Sequence, residues 1–379
     1  MTRTQRMLIA TTATLPLLLT GCEIGPKSSK QMGYRGTAMA QINNPSLVKA
    51  QVPIPANAYE TPNASGPRAR EQYQNVPVLG DISADQFNHL MANINNWVVP
   101  AQGLPVSEQG CNYCHNPNNM ASDEKYTKIV ARRMIQMTQA INANYKSHVQ
   151  QTGVTCWTCH RGNAVPAYKW AAAAAGRPRG MAQSDTGQNR PVQSTAYASL
   201  PYDSFSAYLK DGGVNNIRVG NPQIYPAMDH NVSTKDAEKT YGLMMHMSQG
   251  LGVNCTYCHN SNNFASWKYS TTQRVSAWHG LRMVATSNAE YITPLTGVIP
   301  AVNSAVGPDQ YRKGPQGDPY KINCATCHQG LAKPMNGVSM RADHPTLWLT
   351  PAGTGLPAAP ARAAPAAVVP VAMLQRQGG

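Results

Sequence analysis

Phenylalanine is the scarcest of the large side chains in this 379-residue sequence. Only three Phe are present and aromatic residues make up 7%, whereas Gly and Pro contribute 30 and 29 residues. Aromatic side chains normally bury much of the apolar area of a core, and Gly and Pro interrupt regular elements. The chain is long enough for one large domain or two smaller ones. A conventional core built from its side chains alone is not expected.

Acidic residues are also few. The sequence has 18 Asp and Glu against 32 Lys and Arg, which gives a formal net charge of +14. A basic balance of this size can indicate a nucleic-acid partner. However, the sequence has no basic run and no stripe in which basic and aromatic residues alternate. We therefore expect no nucleic-acid binding.

Cysteine is absent outside one N-terminal position and four copies of the pattern Cys-X-X-Cys-His. Eight of the nine Cys lie in these copies and the ninth is Cys22, so none remains for a structural disulfide. The four copies are Cys111, Cys114 and His115; Cys156, Cys159 and His160; Cys255, Cys258 and His259; and Cys324, Cys327 and His328.

This pattern is the attachment signature of c-type haem. Two thiols separated by two residues can each bond to a vinyl group of one porphyrin, and the adjacent His then becomes the proximal ligand of the iron. Disulfides or zinc sites are the alternatives, but neither requires His directly after every second Cys. The sequence therefore predicts four covalently bound c-type haems, around which the core is built.

Residues 1–21 have the pattern of a signal peptide: two Arg precede an apolar run that is too short to span a bilayer comfortably. The run ends in Leu-Thr-Gly before Cys22, which resembles the lipobox of bacterial lipoproteins. We expect cleavage before Cys22 and acylation of its thiol, which would anchor the chain stably to a membrane. An exported protein with an unmodified Cys, or an uncleaved anchor, are the alternatives. Export agrees with the haems, since bacteria attach c-type haem outside the cytoplasm.

Four stretches around the motifs have helical periodicity. The first follows a capping box of Ser83 with Gln86 and extends to about residue 98. The others are expected over about 123–149, 233–249 with Gly250 as its stop, and 272–285.

Distal haem ligands are expected on these helices, because Met and His are the usual sixth ligands in electron carriers. Met91 lies on the apolar face of the first helix, although a helical Met is more often a core residue. Met134 and His148 are 14 residues apart on the second helix, within about 40° of one face, so one helix could ligate two haems. Met137 competes with Met134 for the same role. On the third helix, only one of residues 244–247 can face an iron.

The second half of the motif-bearing region repeats the first. Residues 111–122 match 255–266 and residues 156–162 match 324–330. Repeats of this kind indicate two similar units. The same alignment pairs Met134 with Met283, which nominates Met283 as a ligand of the fourth haem.

We therefore predict a mainly α protein with much irregular chain, a multihaem cytochrome c in which two pseudo-symmetric two-haem units pack around four haems. The expected segments are a signal peptide (1–21), a lipid-anchored extended segment (22–82), a first two-haem unit (83–168), a connector (169–225), a second unit (226–345) and a Pro/Ala-rich disordered tail (346–379).

From about residue 80 to 345, the sequence resembles the tetrahaem cytochrome subunit of purple-bacterial photosynthetic reaction centres. The resemblance rests on the four motifs and on the segments 91–97, 126–134, 148–160, 243–260 and 273–283.

The resemblance implies a set of iron ligands. Met91 would cap the first haem, Met134 the second and Met244 the third. His148 would cap the fourth haem opposite His328, which makes Met283 a core residue near that haem.

The resemblance also implies a function, with no enzymatic activity. Such a subunit sits at the periplasmic face of the photosynthetic membrane on the L and M subunits and re-reduces the photo-oxidised special pair. A soluble carrier, either a high-potential iron–sulfur protein or a soluble c-type cytochrome, supplies the electrons. The alternative is a lipid-anchored multihaem respiratory carrier. A multihaem reductase is disfavoured, because all four motifs end in His and a distal ligand can be named for each iron.

Overall fold

The computed structural model describes residues 28–31, 40–43, 53–172, 192–210, 217, 234–300 and 312–352. Within these ranges the chain is mainly helical with much irregular chain, which confirms the predicted class. The predicted signal peptide, Cys22, most of the predicted tail (353–379) and much of the connector lie outside the described residues.

The described residues form nine α-helices and two small antiparallel sheets. The helices are α1 (Ala69–Gln72), α2 (Ala84–Val98), α3 (Tyr126–Asn144), α4 (Lys146–Val149), α5 (Cys156–His160), α6 (Ser206–Leu209), α7 (Thr234–Leu251), α8 (Thr272–Ser287) and α9 (Cys324–His328). Strand β1 (Ser28–Gln31) pairs with β2 (Ala40–Asn43), and β3 (Lys169–Trp170) pairs with β4 (Lys321–Ile322). None of the helices in the described part of the chain is both long and apolar enough to cross a membrane.

Helix α2 begins as the capping box predicts. The Ser83 side chain accepts a hydrogen bond from the Gln86 amide, and the Gln86 side chain accepts one from the Ser83 amide. The apolar face packs into the core through the buried Leu90 and through Met91 and Ile94 beside it. The expected position of Met91 on this face is confirmed.

The long second helix of the prediction is two helices in the structure. Helix α3 begins at Tyr126 rather than at residue 123 and ends at Asn144, and the short α4 follows it. Tyr145, between them, has φ −116° and ψ 36°, which is not helical. The Asn142 side chain bonds both backbone polar groups of Val154 and thereby folds the following turn back onto α3. The prediction that one continuous helix carries Met134 and His148 on one face is therefore wrong.

The ends of the third and fourth predicted helices also differ from expectation. Helix α7 continues through Gly250 to Leu251, and the glycine that stops it is Gly252, whose φ is +63°. Helix α8 begins at Thr272 as predicted but extends to Ser287. It then continues as a π-helical turn, Asn288–Ile292.

Helix α3 lies between the two main clusters of buried apolar side chains. Ile135 belongs to a cluster with Leu90, Trp97 and Trp157, whereas Met137 and Ile141 belong to a cluster on the other side. That second cluster contains residues from both predicted units. Strand β3, at the start of the predicted connector, pairs with β4 of the second unit. The two predicted units therefore share a core within the described residues.

The first residues of the predicted tail pack against the core. Residues 345–348 form a 3₁₀ turn in which Leu347 is fully buried. Gln139 and Asn142 of α3 donate side-chain hydrogen bonds to the Thr346 and Leu347 carbonyls, at 3.1 and 2.9 Å. These buried contacts replace water at the backbone, so this part of the predicted disordered tail is ordered. The segment before residue 83 is likewise not wholly extended, because it includes α1 and the buried residues Val78, Leu79 and Ile82.

The turn after α7 has no room for a side chain at Gly252. A Cβ there would overlap the Gly330 carbonyl oxygen, and φ is already left-handed. Gly317 is a matched control, with φ +79° and open space. We expect Gly317→Ala to lower the free energy of unfolding by about 1–2 kcal/mol through backbone strain. Gly252→Ala should lower it by about 3 kcal/mol or more, since overlap adds to strain. Urea unfolding of the holoprotein measures both, and equal losses would contradict the expected overlap.

His344 should make the fold sensitive to mild acid. Its ring stacks on His89 at 5.1 Å, and burial lowers the pKa of His344 to about 4, with His89 adding to this and Asp343 opposing it. The folded state therefore favours the neutral ring, and its stability contribution is complete above pH ~6.5 and is lost as the pH falls towards 4. We expect His344→Gln to flatten the decline of the thermal midpoint between these pH values. If the thermal midpoints of the wild type and of His344→Gln fall in parallel over that interval, His344 is not the cause of the acid sensitivity.

Candidate haem sites

The first and third motifs lie on similar 3₁₀ turns, Gly110–Tyr113 and Cys255–Tyr257. In the first, the Nδ1 atom of His115 lies 3.0 Å from the Met120 carbonyl oxygen. In the third, the Nδ1 atom of His259 lies 2.9 Å from the Phe264 carbonyl oxygen. The acceptor is the fifth residue after the His in both.

The loops around these two turns share further contacts. A backbone bridge joins Asn116 to Asn119 in one loop and Asn260 to Asn263 in the other. A threonine hydroxyl at the start of the next helix donates to a motif carbonyl in each, Thr127 to Tyr113 and Thr271 to Tyr257. The sequence match between 111–122 and 255–266 therefore corresponds to a match in local structure.

The second and fourth motifs form the short helices α5 and α9. Each ends in a left-handed residue, Arg161 with φ 50° and Gln329 with φ 49°. The Nδ1 atoms of His160 and His328 each lie 2.8 Å from a carbonyl oxygen three residues on.

All four motif histidines therefore present the same atom to iron. A carbonyl oxygen only accepts hydrogen bonds, so each Nδ1 carries the proton and each Nε2 keeps its lone pair for a metal. Burial lowers the pKa of His160 and of His259, and it lowers the pKa of His328 to about 4. Neutral imidazole, the form that binds metals, is thus favoured at these positions.

His148 and His328 lie face to edge. Their ring centroids are 5.9 Å apart, although the residues are on different helices, α4 and α9. Nδ1 of His148 is 2.9 Å from the Ser276 carbonyl oxygen, so Nε2 is again the free nitrogen. Burial lowers the pKa of His148. Imidazole nitrogens bind first-row metals at about 2 Å, and the spacing of the two rings suits one iron between them.

A cavity of about 900 Å³ adjoins the first motif. Met91, Cys111, Cys114 and His115 all line it, together with apolar side chains of α2 and α3. The thiols, the proximal His and a Met thus surround one apolar space, as a covalent haem with a Met sixth ligand requires. Met120 also lines this cavity, but its carbonyl binds Nδ1 of His115, which places its backbone on the proximal side.

The candidate methionines of α3 and α8 differ in burial. Met137 and Met283 are core residues, 8% and 5% exposed, and pack among other side chains. Met134 lies on the same helix as Met137 but only borders this cluster. A ligand needs an open side towards its cofactor. Met134 is half-buried, whereas Met137 is enclosed by other side chains. The family resemblance makes Met283 a core residue rather than a ligand, and the burial of Met283 agrees with this.

The sequence predicts the third distal ligand among residues 244–247 of α7. Met244 and Met247 both border the core cluster and are half-buried. His246 is buried and faces Phe205 edge-on at 4.6 Å, and burial lowers the pKa of His246 to about 4. The contact with Phe205 directs His246 into the protein core.

The second and fourth motifs are neighbours. Cys159 Sγ lies 2.7 Å from Cys327 Sγ, and α5 contacts α9. Burial raises the pKa of Cys156 and of Cys324 to about 12, which disfavours the thiolate that zinc would need. No group of three or more His, Cys, Asp or Glu that could hold a metal ion occurs among the described residues. The zinc alternative is therefore not supported.

Several residues of these sites were not found from the sequence. Arg312 is buried beside the first motif, donates to the Tyr113 hydroxyl and lies 5.6 Å from the Tyr113 and Tyr126 ring centroids. Such a cation can pair with a carboxylate of a bound cofactor. The carbonyls that hold the histidines also escaped detection. Their fixed spacing of three or five residues after each motif is the only sequence signal that could have revealed them.

The chain matches one protein family over most of its length. Residues 23–348 match the family described as photosynthetic reaction centre cytochrome C subunit. A photosynthetic reaction center cytochrome c subunit from Rubrivivax gelatinosus is 44% identical over 369 residues, which cover 97% of this chain and 93% of that protein. The protein of the same name from Thermochromatium tepidum is 43% identical, covering 88% and 78% respectively, and that from Roseobacter denitrificans is 36% identical, covering 86% of each.

The geometry of the motifs and the names of these relatives indicate the same cofactor. The cavity at the first motif, the uniform presentation of Nε2 and the apposed His148 and His328 fit covalently attached haem. The chain belongs to the photosynthetic reaction centre cytochrome c subunits and carries covalently bound c-type haem.

Proposed function

We propose that this protein is the periplasmic electron-transfer subunit that re-reduces the photo-oxidised special pair of a photosynthetic reaction centre. Electrons from a soluble carrier would pass along four c-type haems. The protein is an electron-transfer component rather than an enzyme. The relatives' names support the partner, and the local structure of the four motifs supports the cofactor count.

The observation that carries the cofactor count is the common hydrogen bond of the motif histidines. All four donate Nδ1–H to a backbone carbonyl at 2.8–3.0 Å. None of the four motifs departs from this geometry, so each can hold one haem through its two thiols and its His. When bound, such haems supply one-electron oxidation and reduction.

Three of the proposed axial pairs are supported by position, and the fourth rests on the family resemblance. His115 pairs with Met91 across the first cavity, and His328 pairs with His148. His160 is assigned Met134, whose helix α3 contacts α5. His259 is assigned Met244 from the family resemblance. The covalent bonds are formed by Cys111, Cys114, Cys156, Cys159, Cys255, Cys258, Cys324 and Cys327. Met ligation raises a haem potential relative to two histidines, so the fourth haem should be a low-potential site.

We further infer that the four motifs form two pseudo-symmetric two-haem units. The first and third motifs share one loop structure, and the second and fourth share another, which supports duplication. The motifs that meet are the second and fourth, so the units would join there.

The partners and location complete the proposal. The subunit would sit on the L and M subunits at the periplasmic face of the inner membrane, held by lipid on Cys22 after removal of residues 1–21. Removal of residues 1–21, which include Arg3 and Arg6 and no acidic residue, lowers the formal net charge from +14 to +12. A chain that is still this basic would favour an acidic soluble donor. We propose a high-potential iron–sulfur protein or a soluble c-type cytochrome.

Met91 is tested as a ligand by exchange for His. We expect Met91→His to keep the first haem six-coordinate and to lower its potential by on the order of 0.1 V, part of the ~0.8 V range that axial ligands set. Met120→Leu is the control, because Met120 lines the same cavity and its carbonyl is retained. Redox titration of the visible bands measures both variants. An unchanged potential in Met91→His, or an equal change in Met120→Leu, would remove Met91 from the ligand set.

Flash absorption spectroscopy on native membranes tests the function. A short flash should oxidise a c-type haem of this protein while the special pair recovers within microseconds. A strain lacking this chain should lose both the haem signal and the fast recovery. Membranes in which the four haems are present but do not respond to light would contradict the proposed partner.

A further inference from the structure

Helix α8 contains a glycine where helix propensity disfavours one. Gly280 lies in the interior of Thr272–Ser287, and it is buried. Glycine is among the poorest residues for a helix interior, because it loses the most backbone entropy on folding. Its φ is not in the left-handed region, so the backbone itself does not require glycine here. The reason has to be space.

The space at Gly280 is filled by the ring of His148. A Cβ at Gly280 would lie 2.6 Å from Cε1, 2.8 Å from Nδ1 and 3.0 Å from Nε2 of His148. These three atoms form one edge of the imidazole, which therefore sits in a notch of the helix surface. Any side chain at residue 280 would displace the ring.

One turn earlier on the same helix, the Ser276 carbonyl fixes the rotation of that ring. Residues four apart on a helix lie on one face, and Nδ1 of His148 donates to this carbonyl at 2.9 Å. The notch sets where the ring lies, and the hydrogen bond sets which nitrogen remains free. His148 itself is on α4, a helix of only four residues. The next residue, Gln150, has φ 53° and does not continue the helix. That short element offers little support of its own.

We propose that Gly280 and the Ser276 carbonyl form the positioning site for His148, holding its Nε2 towards the iron opposite His328. This rests on the proposed role of His148 as distal ligand. Gly280 is thus a positioning residue that sets whether the fourth haem has two histidine ligands and, through them, a low potential. A hydrogen bond of this type also increases the basicity of a ligating imidazole, which stabilises the oxidised iron.

The test uses the full-length holoprotein with Gly280→Ala. Electron paramagnetic resonance should show loss of the signature of the one haem with two histidine ligands. The potential of that haem should shift upward, with the other three haems unchanged. Gly297→Ala is the matched control, because it adds the same methyl group where nothing lies within 4 Å. The inference is overturned if Gly280→Ala retains that signature at the wild-type potential.

A double variant separates positioning from general damage. With His148→Ala the notch is empty, so adding Gly280→Ala should cause no further spectral change and should raise the thermal midpoint, since alanine favours the helix. A further loss in the double variant would overturn the inference. If Gly280→Ala alone does not accumulate, accumulation of the double variant supports the inference, and failure of both variants overturns it.

His148→Ala alone separates the ligand role of His148 from the positioning role of helix α8. If it leaves all four haem spectra unchanged, the ligand assignment within the proposed function fails. If it changes one haem and Gly280→Ala changes none, only the positioning role of helix α8 fails.

Discussion

The hydrogen bond from a histidine Nδ1 to a backbone carbonyl is the interaction on which the haem sites depend. It recurs at His115, His160, His259, His328 and His148, each time at 2.8–3.0 Å. It fixes the tautomer and the ring orientation together, so that the nitrogen with the lone pair points away from the supporting loop. The loops after the motifs follow from this need, because each must bring a carbonyl back beneath the ring.

The polar interior of helix α3 links these sites to the rest of the fold. Gln139 and Asn142 are almost fully buried, and their side chains bind backbone groups of residues 346, 347 and 154. The Asn142 amide is bonded at both its nitrogen and its oxygen, as the burial of a polar group requires. The two side chains hold residues 154, 346 and 347 against α3, and apolar clusters lie on both sides of this helix.

The features that follow from local sequence were predicted well. The capping box of Ser83 with Gln86 starts α2 as expected, because its bonds join residues three apart. The start of α8 at Thr272 was also correct. The break at Tyr145 was missed, since helical periodicity continues through it and the bonds that cause it come from Asn142 to Val154. Gly250 was taken for a helix stop, but it lies within α7 beside Ala325, and only the tertiary contact reveals why glycine is needed there.

By itself, the sequence determined the cofactor chemistry and the family. Two thiols and a histidine within five residues form a haem-attachment motif that can be recognised without knowledge of the fold. Tertiary structure alone decided how His148 is brought beside His328. His148 lies 180 residues from His328, and its ring is held by a carbonyl and a glycine of a third helix. Such a placement depends on how three helices pack. Local periodicity, which placed His148 on the helix of Met134, does not contain that information.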